Sequence, residues 1–248
     1  MTRIATLSES RENCQSCRLR SLCLPDNLPR EDVSELDSIV QRRKPVARGA
    51  YLFQAGQRFN SIFAVRTGSV KTSTLLANGE EHISGFHLPG EVIGLDAIVS
   101  RDHPSSAVAL ETASVCEIPY AELERLGDRT PALQHQLVRI MSRELLAEQS
   151  TNHLLTRRAA EQRLAVVLLK FSERFASRGL SALRFRLPMS RLDLGNYLGL
   201  VPETMSRTFR RLDEQGLVAI AGKEIEIADI CAMKALAYGS EGAQQAQA

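Results

Sequence analysis

The hydrophobic period of this chain changes partway along it. From about residue 46 to 118, short β-prone runs (YLFQ, SIFAVR, SVKTSTLL, HISGFHL, EVIG, SAVALE, SVCEI) alternate with Gly49, Gly56, Gly68, Gly79 and Gly90. Short strands at regular spacing with glycine turns predict an antiparallel barrel or roll. After Pro131 a helical period takes over. Val138, Met141, Leu145, Glu148, Asn152 and Leu155 recur in alternating steps of three and four, the seam of a helix that pairs with another helix. Leu133, Leu137 and Ile140 fall on a second face, suited to packing on the roll. Two apolar faces on one long helix predict a dimer.

A further helix over about 158–175 ends near Gly179 and feeds a strand-like FRL. Ser190 is a good N-cap for a short helix containing Leu192, Leu194 and Leu198. Gly199 breaks that helix, and Pro202 opens the next at its favoured first-turn position. Two short helices around a tight glycine turn predict a helix-turn-helix, and VAIAGKEIEIA after them predicts a two-stranded wing turning at Gly222-Lys223. The last residues, 237–248, are Gln/Ala-rich after Tyr238 and are expected to be a disordered tail.

Within 202–216 the residues sort by face. Met205, Phe209 and Leu212 point to a core, while Glu203, Ser206, Arg207 and Arg210 share the opposite side. That outer face carries base-reading chemistry: Arg207 suits guanine O6/N7, Glu203 suits cytosine N4, and Ser206 suits thymine or adenine. Arg210 and Arg211 suit phosphates. An ordinary amphipathic helix with a solvated charged face shows the same pattern, but the preceding helix, the turn and the wing favour DNA.

Charge changes the picture modestly. The net charge of the 248 residues is only +2, yet residues 157–214 hold twelve basic residues against six acidic ones, so a phosphate backbone would be met in the C-terminal third. With 44% hydrophobic and 24% charged residues the chain reads as soluble and globular. Neither a membrane span nor a signal peptide is visible, which predicts a cytoplasmic protein. No nucleophile–base arrangement or phosphate loop stands out, so no enzyme is expected.

Residues 1–30 are polar, lack any sustained period, and hold Cys14, Cys17 and Cys23 as C-x2-C-x5-C. Such a segment needs a ligand or a neighbouring domain to be ordered. In the cytosol thiols stay reduced, so ligation outranks disulfides. A fourth thiolate would complete a [4Fe–4S] or zinc site. Cys116 and Cys231 are the candidates, and spacing chooses neither between them nor between the two metals.

The C-x2-C-x5-C motif, a cysteine 93 residues after its last member, and the helix sequence ETMSR together resemble the FNR family. These are the fumarate and nitrate reduction regulators of the cyclic-AMP receptor protein superfamily. The likeness spans residues 14–236 and includes GFHLPGEVIGLDAI and RAAEQRLA. It implies an α+β fold with a cupin-like antiparallel β-roll, a long dimerisation helix and a winged helix-turn-helix. The divisions are a cysteine-rich segment at 1–30, a sensor roll at 31–130, the dimerisation helix at 131–156, the DNA-binding domain at 157–236 and the tail.

The resemblance further implies that Cys14, Cys17, Cys23 and Cys116 carry an oxygen-labile [4Fe–4S] cluster, leaving Cys231 as core filler. Glu203, Ser206 and Arg207 would read a TTGAT-type half-site. The cluster-loaded chain would dimerise and bind double-stranded DNA without oxygen, governing genes of anaerobic and microaerobic metabolism, with RNA polymerase as a further partner. Where the cyclic-AMP receptor protein holds ribose and phosphate with a glutamate and an arginine, this chain has Gly94-Leu95-Asp96 and Ser105-Ser106. Without that arginine no cyclic nucleotide is expected, and no membrane partner is. Glu148 departs from the aspartate common at that seam position, and Asn152 puts a second polar group in the seam.

Overall fold

The computed structural model describes residues 13–24, 28–157 and 159–245; within these, the side chains of 147–157 and 240–245 are not described. Two short helices come first, α1 (Arg20–Cys23) and α2 (Arg30–Ile39). Eight strands follow: β1 (Gln41–Arg42), β2 (Tyr51–Phe53), β3 (Ser61–Thr67), β4 (Val70–Leu75), β5 (Glu81–His87), β6 (Val92–Ile93), β7 (Ser106–Ala109) and β8 (Ser114–Pro119). They form two antiparallel four-stranded sheets in the orders β1-β8-β3-β6 and β2-β7-β4-β5. Phe53, Phe63, Val65, Val70, Ile93, Ala107 and Val115 fill the space between the sheets. The expected roll is present. At the turn between β3 and β4, Gly68 has φ +74°, and a Cβ there would lie 2.6 Å from the Thr112 carbonyl oxygen, so only glycine fits.

The outer face of the first sheet is covered by α2, by α3 (Tyr120–Arg129) and by the start of α4 (Pro131–Arg157). Leu133 is buried there, and Leu137 and Ile140 pack against the same cluster. Helix α4 ends one residue past the expected 156.

The outer face of the second sheet meets the C-terminal half. That half comprises α5 (Ala160–Ala176), β9 (Arg184–Arg186), α6 (Arg191–Leu198), α7 (Pro202–Glu214), β10 (Val218–Ala221), β11 (Glu224–Ile227) and α8 (Ile230–Gln245). Ile83, Phe86 and Leu88 of the roll join its core with Leu164, Leu168, Phe171, Met205 and Phe209. Strand β5 is an edge strand, and Asn196 of α6 satisfies it as another strand would. The Ile83 N–H donates to Asn196 Oδ1 at 2.8 Å, and Asn196 Nδ2 donates to the Glu81 carbonyl at 2.6 Å.

Two expectations are corrected. The residues from 237 onward were expected to be a tail, but α8 runs to Gln245, interrupted by Gly239 at φ +79°. Met233 and Ala237, one helical turn apart, are buried in the C-terminal core, and alanine is the best helix former; residues 246–248 lie outside the description. Cys231, expected in the core, is exposed, because the turn of α8 that carries it buries Met233 instead. No described helix is long and apolar enough to cross a membrane.

Glu91 ties the two halves together. Its carboxylate accepts from Arg174 (2.9 and 2.5 Å) and from Arg178 (2.6 Å), and Arg178 Nε donates to the Pro89 carbonyl at 2.7 Å. The Arg178 side chain is only 6% exposed, so the pair is desolvated and each partner needs the other. Burial opposes ionisation of Glu91, but Arg174 and Arg178 outweigh it and hold the carboxyl below the ordinary glutamate value. Glu91→Ala should therefore cost about 3–5 kcal/mol in urea unfolding, and Glu91→Gln distinctly less. A Glu91→Ala loss under about 1 kcal/mol would place the network among the weak surface pairs. Because this carboxyl titrates lower folded than unfolded, its stabilisation is present at neutral pH and fades on acidification below about pH 4.5.

Candidate functional site

The roll, α2 and the N-terminal segment bring four cysteines to one end of the molecule. Cys116 lies in β8, opposite Ala64 of β3 and Arg42 of β1. Cys14 and Cys17 lie in the turns before α1, and Cys23 ends it. All four are half-buried, and Cys14, Cys23 and Cys116 pack on the apolar cluster beneath α2, α3 and α4. The thiols are close enough to act on one another electrostatically, Cys116 on Cys14, Cys17 on Cys116, and both Cys17 and Cys116 on Cys23. Among the described residues, however, no three such side chains are gathered to ligating distance.

Burial is the main influence on these thiols. It pushes Cys23 up to about 12, raises Cys116, and raises Cys14 furthest, with help from Asp37. A desolvated thiol stays protonated unless a cation compensates. Four thiols at one end of the molecule, three of them with their charged forms disfavoured by burial, suit a soft, thiophilic centre, whose charge reverses that preference. The donor chemistry fits an iron–sulfur cluster. Two charged residues that the sequence reading missed stand among them: the Cys14 amide donates to Asp37 Oδ1 at 2.8 Å, and Arg42 pairs with the same oxygen.

The segment also borders a cleft shared with the C-terminal half. A Cβ on Gly90, at φ +91°, would lie 2.7 Å from Leu22 Cδ1, so α1 rests directly on the Pro89–Gly90 turn that Arg178 grips. Leu19, Leu22, Pro89, Phe175 and Arg178 line a cleft of about 510 Å³ there.

At the far end, α6 and α7 form the helix-turn-helix. Ser190 Oγ accepts from the Asp193 amide at 3.0 Å, and the Asp193 carboxylate accepts from the Ser190 amide at 3.2 Å, a reciprocal cap. The turn needs two glycines. Gly199 adopts φ +62°, and a Cβ on Gly195 would lie 2.9 Å from the Leu200 carbonyl oxygen. Helix α7 buries Met205, Thr208, Phe209 and Leu212 and exposes Glu203, Ser206, Arg207 and Arg210, which share its outer face as expected. Arg211 is tied to Glu161 of α5 at 2.6 Å. The wing turns at Gly222-Lys223 between β10 and β11.

On α4, Val138, Met141 and Leu145 are exposed, by 63, 44 and 57%. They form the outward seam opposite the face packed on the roll. The side chains of Glu148 and Asn152 lie outside the described residues.

Residues 43–130 match the cyclic nucleotide-binding domain, and residues 162–236 match the Crp-like helix-turn-helix domain. The chain is 47% identical to the transcriptional activator protein Anr of Pseudomonas protegens, over 94% of this chain and 96% of that one. It is 45% identical to the fumarate and nitrate reduction regulatory protein of Salmonella typhimurium, over 91% and 90% of the two chains. Its fold resembles that of FixK2 from Bradyrhizobium japonicum, with a TM-score of 0.73 and 29% identity over 80% of this chain and 97% of that one. The first two relatives are named as regulators of transcription, not as enzymes. The antiparallel roll, the long helix, the capped helix-turn-helix and the wing agree with that likeness from end to end, and the chain belongs to the FNR family of transcriptional regulators in the cyclic-AMP receptor protein superfamily.

Proposed function

We propose that this regulator responds to oxygen through a [4Fe–4S] cluster held by Cys14, Cys17, Cys23 and Cys116, and that the loaded protein binds a TTGAT-type palindrome as a homodimer. The observation that carries the reading is the placement of Cys14, Cys17 and Cys23 at the same end of the molecule as Cys116, where burial disfavours the thiolate forms of Cys14, Cys23 and Cys116 unless a cation compensates. When bound, the cluster supplies that charge and an oxygen-labile link among the four sulfurs. Residues 13–24 are thereby fastened to β8 and, through Leu22, rest on the turn that Arg174 and Arg178 hold from the C-terminal end of α5 and the turn after it.

Val138, Met141 and Leu145 present the apolar seam to a second copy, and Glu148 and Asn152 continue its spacing. Pairing of α4 places two α7 helices about 34 Å apart, one per major-groove half-site. Arg207 then pairs with guanine, Glu203 with cytosine and Ser206 with thymine or adenine, while Arg210 meets phosphate. Arg211, engaged with Glu161, steers α7 rather than contacting the backbone freely. Double-stranded DNA and RNA polymerase are the partners, and the cytoplasm is the place of action.

Cyclic nucleotide is not the signal in this reading. At the positions where the resemblance puts the ribose- and phosphate-holding residues, Ser105 donates to Asp96 at 2.7 Å. A carboxylate engaged with a hydroxyl offers no positive charge to a cyclic phosphate.

An anaerobic absorption spectrum beside operator binding tests the cysteine assignment. Cys116→Ser should lose the broad iron–sulfur absorption and anaerobic binding together, and Cys231→Ser should keep both. Loss of the cluster in the Cys231 variant alone overturns the ligand set; a colourless wild type that still binds DNA points to zinc on the same thiols. Base reading is tested separately. Arg207→Ala should cost roughly 1–3 kcal/mol on a matched site and flatten the preference for guanine, whereas Arg210→Ala should weaken all sequences alike and lower the salt dependence. Equal loss for Arg207→Ala on matched and guanine-substituted sites would move it to the phosphate class.

A further inference from the structure

Cys14 and Cys116 are far apart in sequence and belong to different segments, so some contact must set one beside the other before any shared ligand does. Among residues 13–24 only Leu24 is buried, ten residues from Cys14, so packing does not by itself place the Cys14 end of the segment. The Asp37 carboxylate supplies a directed contact. Asp37 stands on the last turn of α2, and its Oδ1 accepts the Cys14 amide at 2.8 Å. The same oxygen pairs with Arg42. Arg42 in turn is the cross-strand partner of Cys116 in the β1–β8 register. Cys14, Asp37, Arg42 and Cys116 thus form one continuous chain of contacts across two segments.

We infer that Asp37 and Arg42 are positioning residues for the cysteine centre: Arg42 fixes the Asp37 carboxylate, which docks the Cys14 end of the N-terminal segment beside Cys116. The inference rests on the reading of these cysteines as cluster ligands. Asp37 is otherwise poorly suited to its place, since a carboxylate beside thiols that must ionise opposes their ionisation. Arg42 offsets that opposition, because its charge acts on both Cys14 and Cys116. The two side chains are 24 and 30% exposed, so the ion pair by itself contributes little. Its use is geometric: it aims a charge-assisted acceptor at one particular amide.

Full-length protein decides the matter in two arms. In the cluster-free protein, amide hydrogen exchange over 13–24 should be at least tenfold faster in Asp37→Leu than in wild type. Asp37→Asn, whose carbonyl oxygen still accepts the Cys14 amide, should recover much of that protection. Exchange in β3 and β8 reports whether the roll remains folded, and the comparison of Asn with Leu stands even if it loosens. In the second arm, protein loaded anaerobically with iron and sulfide is challenged with an iron chelator in the absence of oxygen. Visible absorbance should decay at least fivefold faster in Asp37→Leu. Unchanged exchange in Asp37→Leu, an Asn variant no better than Leu, or chelator loss equal to wild type overturns the inference. A wild type that takes up no iron overturns the cluster reading instead, and the exchange arm still tests the clasp.

Discussion

The Glu91 carboxylate is the joint on which the arrangement of this molecule depends. The sensor roll and the DNA-binding half each have their own sheet and core residues, and neither dictates how the other is oriented. What fixes the angle is a desolvated anion at the end of the β5–β6 turn, gripped by two guanidiniums, Arg174 in the last turn of α5 and Arg178 just past its end. Apolar burial around Phe86 and Leu88 adds cohesion but little direction. Charge-assisted hydrogen bonds at 2.5 to 2.9 Å add the direction. Around them, Lys71 reaches Asp193 at 3.0 Å and Asn196 satisfies the β5 edge, so the first helix of the helix-turn-helix is held to the roll as well as the helix before it.

Onto the same turn the N-terminal segment lays Leu22, in space that exists only because residue 90 lacks a side chain. The cysteine segment therefore touches two things: the turn that anchors α5, and, through the cluster of residues shared with α3 and α4, the base of α4. Of residues 13–24 only Leu24 is fully buried, with the rest half-buried or exposed. A segment of that kind is held by a few polar contacts and by whatever its thiols bind, so its attachment responds to a change at sulfur far more than the roll does.

Much of this was legible in the sequence, and the boundary is physical. The helix-turn-helix could be read because caps, helix faces and the Gly195–Gly199 turn are local, each set by neighbours three or four residues away. The cysteine spacing was equally local, and both faces of α4 followed from its period. Asp37 and Arg42 could not be found that way. They are five residues apart across a helix end, and neither the Cys14 contact nor the Cys116 register leaves a periodic trace. Glu91 with Arg174, and Arg211 with Glu161, are likewise pairings across long stretches of chain. The tail failed for the opposite reason: its composition resembled a linker, while Met233 and Ala237 already carried a buried helical face into it.

The interior of the roll bears on the proposal that a cyclic nucleotide is not the signal. Its interior is closed by its own aromatic side chains, with Phe53 stacked on the His103 ring at 3.8 Å between centroids and Phe59 against the ring's edge at 5.6 Å. Burial lowers the His103 pKa below its ordinary value, so the ring is neutral near pH 7 and offers no charge to an anion. Asp96, beside it, is a carboxylate already paired with Ser105. A cyclic phosphate entering here would meet an anion and a neutral ring and would have to displace packed aromatics, each step unfavourable in a low-dielectric interior. The thiols of Cys14, Cys23 and Cys116 have the reverse need, since burial disfavours their charged forms and a ligand that brings positive charge offsets it. Under the proposed reading the ligand that matters sits outside the roll interior, where Cys116 of β8 meets the cluster beneath α2, α3 and α4.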